Sequence, residues 1–468
     1  MVMDMKILLI QPNTRYCYNG PVVVQVPHGL LYVAASLRRA GFDRVSVLDA
    51  RMERLNRKEL SRRIKEYSPD VVGITGISLD ASEVHVVAAL ARENAPGCKV
   101  VIGGPYTSSS PEAIVGDPNV DFAVIGEGER TACELVSALE KGADVSGISG
   151  LAYRGPGGAV FGPPRSMIED VDDIPFPAWD LLDMERYFSL WARHSLNPYP
   201  KSERILPLFT SRGCPYSCVY CHNLFGKKAR LRSAEEVLRE IELLVNKYGV
   251  EEIEIVDDIF NIDLPRAKRI CDEIVRRGIK ISISFPQGLR ADRMDEELVL
   301  KMKKAGTRLL IYAVESASPR VQKQIRKDLD LEKTVRMIKF TAEQGITVGG
   351  FFMLGFPGES KEEMLATARF SRELPFHIVT FFYVTPNPNT ELYKMAAGSL
   401  KKAGKGDFYK FSVNLSAVPD LEFQRIRDMA FARFYYRPSQ LWRIFRAIPN
   451  KLHVAKLLFR AFFLGGWA

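Results

Sequence analysis

Twice along its 468 residues this chain alternates short apolar runs with stretches of helical period, and few folds satisfy that alternation. It argues for parallel sheets with helices packed on their faces. A first set of strands is predicted at residues 7–10, 45–48, 71–75, 100–102 and 122–125, with helices at 30–40, 57–67, 81–95 and 130–141. A second set is predicted at 205–209, 252–256, 281–285, 308–314, 347–353 and 379–384, each pair separated by helix-period sequence. The fold class read from this is α/β. A doubly wound parallel sheet occupies residues 1–145, a proline- and acid-rich connector 146–204, a partial six-stranded β/α barrel 205–396, and a mainly helical, basic region 397–468.

Length and composition fit that reading. A chain this long exceeds one ordinary domain, and 46% hydrophobic with 26% charged residues is globular. The first apolar stretch ends at Gln11-Pro12 and reads as a strand, not a signal peptide. Seven cysteines without a disulfide framework fit a reducing compartment, so a cytoplasmic location is expected.

Three of those cysteines fall together, in Cys214-Pro-Tyr-Ser-Cys218-Val-Tyr220-Cys221, directly after the first strand of the second set. This spacing puts three thiolates on one tight loop, enough for three corners of a cubane iron–sulfur cluster with one iron left open. An open position is where a metal meets a substrate or cofactor. The alternative is a zinc site with His222 as fourth ligand. Structural zinc usually draws on two separated pairs, whereas Cys17, Cys98, Cys133 and Cys271 are scattered singly and His222 adjoins Cys221.

In parallel sheets of this kind ligands bind at the carboxyl ends of the strands. In the first set those ends carry Gly73 to Ser78, Gly103-Gly104-Pro105 and Gly126-Glu127-Gly128-Glu129, small residues that let a bulky ligand approach the backbone. In the second they carry Asp257-Asp258, Arg290, Glu315-Ser316 and Gly355-Phe-Pro-Gly-Glu359. Seen alone, paired acids after a strand also serve as helix caps.

In the order in which they occur, these motifs resemble the radical S-adenosylmethionine (SAM) superfamily. Residues 1–145, through Pro27-His28-Gly29-Leu30 and the Gly126–Glu129 turn, look like the Rossmann-like cobalamin-binding domain that precedes many such barrels. The resemblance implies that Cys214, Cys218 and Cys221 hold a 4Fe-4S cluster whose open iron chelates SAM, and that reductive cleavage yields a 5'-deoxyadenosyl radical. It implies SAM contacts from Tyr220, Asp257, Arg290, Glu315, Ser316 and Gly355, with Glu315 receiving the methionyl ammonium. Cobalamin contacts would come from Ser78, Gly103, Gly104 and Glu127. The D-x-H-x-x-G motif of cobalamin domains with a cobalt-ligating histidine does not occur here, so cobalt would lack a protein imidazole. His28 and His85 read as packing or surface histidines.

The activity implied is a cobalamin-dependent radical SAM C-methyltransferase acting on an unactivated carbon, served by an electron donor such as flavodoxin or ferredoxin. A radical oxidative cyclase like the anaerobic magnesium-protoporphyrin ester cyclase has the same parts. A zinc-stabilised RNA-binding protein is the alternative from another class, though no RNA-binding module is present.

The tail adds one more expectation. Residues 425–468 hold nine lysines and arginines against the single acid Asp428, so they account for +8 of the formal +9. The cations interleave with Trp442, Phe445, Phe459, Phe462 and Phe463. That pattern suits either helices capping the barrel or peripheral contact with a membrane surface, the latter favouring a lipid-like or isoprenoid substrate.

Overall fold

The computed structural model describes residues 4–13, 24–190, 195–221, 224–400, 411–449 and 451, and divides into two compact units, Met1–His194 and Ser195–Ala468. Lys456, Arg460, Phe459, Phe462, Phe463, Cys17 and His222 lie outside the described residues.

The first unit is a seven-stranded sheet, with β1 Ile7–Gln11, β2 Val45–Asp49, β3 Val71–Thr75, β4 Lys99–Gly103, β5 Phe122–Val124, β6 Leu151–Gly155 and β7 Gly158–Phe161. Their order is β2-β1-β3-β4-β5-β6-β7; the first five are parallel, and β6 and β7 are antiparallel. Successive residues of β1 explain the double winding. Leu8 and Ile10 enter a core with Val72, Ile74, Val84 and Ala88, whereas Ile7 and Leu9 enter the opposite one with Leu30, Ala34 and Leu37. A strand buried on both faces must be apolar at consecutive positions.

The connector expected at 146–204 is largely not one. Residues 151–161 form the hairpin β6–β7 and extend the first sheet, with Ala123 opposite Ala152. Farther on, the Ala178 N–H donates to Leu31 O (3.1 Å), Trp179 is buried, and the Tyr187 hydroxyl donates to Asp49 Oδ2 at 2.5 Å. Prolines and acids there mark a chain packed on a sheet, a difference composition does not register.

The second unit holds a six-stranded, wholly parallel sheet: β8 Ile205–Leu208, then, after the short antiparallel pair β9 Ser211–Arg212 and β10 Arg230–Leu231, β11 Glu252–Ile255, β12 Ser282–Leu289, β13 Thr307–Glu315, β14 Thr347–Leu354 and β15 Ile378–Tyr383. The order β15-β14-β13-β12-β11-β8 follows the sequence, as right-handed β/α crossovers dictate in a barrel wall. Helices leave the strands behind side-chain caps: Ser233, Asp263, Asp295, Asp330 and Ser360 each accept a backbone N–H three residues on. Tyr312 and Phe352 meet those helices, Tyr312 through Thr341 (2.7 Å) and Phe352 through the Phe370 ring.

Residues 195–201, assigned above to the connector, belong to this unit for an electrostatic reason. Glu252 and Glu254 on β11 are buried, and a buried carboxylate needs donors. Ser195 Oγ (2.6 Å) and Asn197 N (2.8 Å) serve Glu254, while Asn197 Nδ2 and Lys201 N (both 2.8 Å) serve Glu252. Of the C-terminal region, the helix Asp420–Tyr435 packs on the barrel: Tyr435 Oη pairs with both N and O of Val379.

Candidate active site

The cysteine loop leaves β9 through Gly213, which stands at φ 86°, with Lys228 O only 2.4 Å from where a Cβ would sit. Only glycine fits there. Asp258 accepts from Gly213 N (3.0 Å), and Asp257 accepts from Thr210 N (2.6 Å), Thr210 Oγ1 (2.5 Å) and Ser211 Oγ (2.7 Å). Asp257, expected at SAM, therefore spends both oxygens on the loop's own base. Burial pushes its carboxyl above the usual range in spite of these bonds.

Beyond the base, Val219 pins the loop twice. Its N–H donates to Ile325 O (3.1 Å) and its carbonyl accepts from Leu392 N (2.9 Å), over a small core of Val219, Ile325, Phe356, Val384 and Leu392. The Cys218 thiol lies 3.7 Å from Arg326 O. Cys214 and Cys218 are half-buried and Cys221 is exposed; desolvation first, then the neighbouring thiols, push Cys221 up to about 11. Among the described residues no group of His, Cys, Asp and Glu closes around a single ion. Three soft thiols spread along one pinned loop fit the corners of a cluster better than one zinc.

Backbone strain gathers at this site. Among the described residues six non-glycines have positive φ, and four of them, Glu315, Arg326, Asp328 and Asn389, belong to the segments that clasp the loop. Such conformations persist only where their surroundings over-determine them. Glu315 ends β13 at φ 67° after a register shift, is buried, and accepts from Lys327 Nζ (3.0 Å) and Tyr220 Oη (3.2 Å). Desolvation, then Glu315 and the adjacent thiols, hold the Tyr220 phenol well above its ordinary range. Arg290 lies 3.9 Å over the ring of Tyr216, pairs with Asp292 (2.9 Å) and donates to Lys327 O (2.9 Å). Its Nη1 is buried with no partner among the described residues.

Thus the structure assembles Cys214, Cys218, Cys221, Tyr220, Glu315 and Arg290 around one loop. Ser316 and Gly355 have other work. The Ser316 hydroxyl accepts from Ser318 N (3.2 Å) and pairs with Thr367, and the Phe423 ring stands 2.6 Å from where a Cβ of Gly355 would be. Lys327, Thr210, Ser211 and Tyr216 escaped the sequence reading. Only Tyr216, inside the cysteine motif, offered any signal.

In the first unit, the strand ends form a plainer edge. Ile77, Ser78 and Leu79 are exposed after β3, and a Cβ on Gly103 would meet nothing nearer than Val124 Cβ at 3.7 Å. An exposed apolar pair beside an open glycine fits a large, partly apolar ligand such as cobalamin. Gly104 is glycine for an internal reason: it sits at φ 90°, with Thr75 Oγ1 2.5 Å from its would-be Cβ. Glu127, expected at the ligand, accepts from Ile168 N (2.8 Å) and is buried. His85 is engaged at both nitrogens, with Asp117 (2.6 Å) and Tyr106 Oη (3.1 Å), and His28 packs against Tyr32 and Trp179.

Residues 208–371 match the radical SAM superfamily and residues 23–136 the B12 binding domain. The chain is 33% identical over 445 residues to an uncharacterised methyltransferase of Pyrococcus horikoshii, covering 93% of this chain and 94% of that one. It is 31% identical over 503 residues to cytidylyl-2-hydroxyethylphosphonate methyltransferase of Streptomyces wedmorensis (93% and 92% covered), and 28% identical over 399 residues to the anaerobic magnesium-protoporphyrin IX monomethyl ester cyclase of Rubrivivax gelatinosus (83% and 70%). The fold is that of the radical SAM methyltransferase TsrM from Kitasatospora setae, solved with cobalamin and a 4Fe-4S cluster, at a TM-score of 0.76 and 21% identity over 94% of this chain and 92% of that one. With both domains matched in sequence order and two methyltransferases aligned along almost all of its length, the chain belongs to the cobalamin-dependent radical SAM methyltransferases, enzymes that use a 4Fe-4S cluster, SAM and cobalamin.

Proposed function

We propose that the protein is a C-methyltransferase acting on an unactivated carbon of an apolar substrate, lipid-like or isoprenoid in character. The observation that carries the substrate class is the face of the second sheet opposite Tyr312 and Phe352. There Ala313, Phe351 and Phe382 are half-buried, Phe351 and Phe382 stack edge to face at 5.3 Å, and Phe382 packs against the core that holds Val219 of the cysteine loop. An apolar surface beside the loop suits a substrate held by hydrophobic contact.

When bound, the cofactors supply a 5'-deoxyadenosyl radical and a transferable methyl group. The chain's own residues bind and orient. Cys214, Cys218 and Cys221 hold the cluster. Glu315, already 3.0 Å from the Lys327 ammonium, accepts the methionyl ammonium as well, and the Arg290 Nη1 donor takes the carboxylate. Ser78 and Gly103 receive cobalamin in the domain at 1–145. A low-potential flavodoxin or ferredoxin supplies electrons in the cytoplasm.

The test is anaerobic reconstitution followed by incubation with methyl-deuterated SAM and fractionated cell extract. About four irons per chain, deoxyadenosine release and label in the organic phase are expected. Label only in water-soluble products would refute the lipid-like substrate and leave the methyltransferase standing. The similarity to the cyclase favours oxidative cyclisation as the second reading, and product mass separates them: methylation adds one methylene unit, cyclisation removes hydrogens or adds oxygen.

A further inference from the structure

The helix Pro438–Ala447 is inside-out. A surface helix normally buries its apolar stripe and shows its polar one to water. Here the residue it buries is Gln440, whose Nε2 donates to Phe376 O (3.1 Å) and His377 O (2.9 Å), and Arg443 Nη1 donates to Phe376 O (3.2 Å) beside it. Polar side chains thus anchor the helix to the barrel.

Three of its large apolar side chains are exposed. Leu441 is 54% exposed, Trp442 60% and Phe445 39%, with the last two rings stacked at 5.8 Å. Phe431 on the preceding helix and Tyr436 at its C-terminal cap are exposed too, so five large apolar side chains stand uncovered within 15 residues. Around them are the exposed cations Arg433, Arg446 and Lys451, the last with Nζ 5.2 Å from the Phe445 ring centre. The sequence contains no acid from Met429 to its last residue.

We infer that this helix face is a docking surface for an anionic lipid bilayer. Charge decides among occupants. A second copy would bring the same cations against themselves, and residues 452–468 of this chain carry Lys456, Arg460 and no acid. An anionic bilayer offers an apolar interior to Leu441, Trp442 and Phe445 at the depth of its headgroups, and phosphates to the arginines. The inference rests on the helix alone and survives if the substrate proves water-soluble, because surface binding and chemistry are measured separately.

Vesicle flotation of the full-length, cluster-loaded protein tests it. Binding to vesicles of phosphatidylglycerol with phosphatidylcholine is expected, with none to phosphatidylcholine alone, and weakening as salt rises. The triple variant Leu441→Ser, Trp442→Ser, Phe445→Ser should lose about tenfold or more in partition, while keeping iron content and SAM cleavage because these side chains already face water. Arg446→Glu should weaken binding further at low salt than at high salt. Tryptophan quenching by brominated lipid should fall in Trp442→Phe. Equal flotation of wild type and triple variant overturns the inference. So does a wild type that ignores anionic vesicles but self-associates, or binds an acidic protein, through the same side chains.

Discussion

At the end of β13 Glu315 is buried, held at φ 67° and fastened to Lys327 and Tyr220, whereas after β5 Glu127 gives its carboxylate to Ile168 N and leaves the neighbouring edge to glycine and the exposed Ile77, Ser78 and Leu79. Both stand at carboxyl ends of parallel strands, and both were read from sequence as ligand contacts. On the function proposed above, the difference follows from what each edge would have to do. Radical chemistry requires a few atoms placed within a fraction of an ångström, so the second unit holds its loop with strained backbone and buried polar groups. A large corrin needs area and room for its bulk, which small and apolar residues provide.

From that contrast, the largest effect belongs to Cys218→Ala. Cluster iron and deoxyadenosine release should both fall to background, measured by iron content and product chromatography. Full SAM cleavage in this variant would remove the basis of the contrast altogether.

Next comes a buried carboxylate of the second unit. Glu359 accepts from Gly355 N (2.7 Å) and Phe356 N (3.0 Å), but burial raises its carboxyl from 4.5 to about 7. The folded protein therefore keeps a proton that the unfolded chain gives up, and the stability associated with it, complete below about 4.5, is lost as pH rises to about 7. The loss is about 3 kcal/mol. Urea midpoints of the metal-free protein should fall over that window, and the slope should flatten in Glu359→Gln, which keeps an acceptor oxygen. Parallel slopes in both proteins would show that Glu359 ionises as it does in water.

A smaller effect separates the two glutamates. Glu315→Gln should weaken SAM binding by about 10- to 100-fold, the scale of a charge-assisted hydrogen bond, without changing cobalamin retention. Glu127→Gln should leave SAM binding unchanged. Equal losses in both would mean that the edges are not specialised.

The smallest effects compare neighbouring glycines. Gly104→Ala should destabilise the first unit by about 1–2 kcal/mol, since it combines a positive φ with the 2.5 Å approach of Thr75 Oγ1. Gly103→Ala, with 3.7 Å to spare, should not. Loss of cobalamin in a Gly104 variant thus reports strain as much as blocked access. Ser78→Trp, at an exposed position, is the cleaner probe: cobalamin retention should fall with thermal stability unchanged.

Much of this was legible in the one-dimensional pattern, for an identifiable reason. Strand and helix periods and three cysteines on a single loop are local properties, in which neighbours along the chain are also neighbours in space. The α/β class, five parallel strands of the first sheet, the six of the second and the cysteine site follow from them. Whatever depends on distant partners did not follow. Residues 151–161 complete a sheet because β5 offered an edge; Gly355 is small because Phe423 arrives from 68 positions away. Lys327 reaches Glu315 only after a helix and a strained turn, and the helix at Pro438–Ala447 looked amphipathic in sequence whichever way it faced. Periodicity says that a helix has two faces. Which of them turns inward is decided by the groups it meets, here the carbonyls of Phe376 and His377, which required Gln440 and so left Leu441, Trp442 and Phe445 to the solvent.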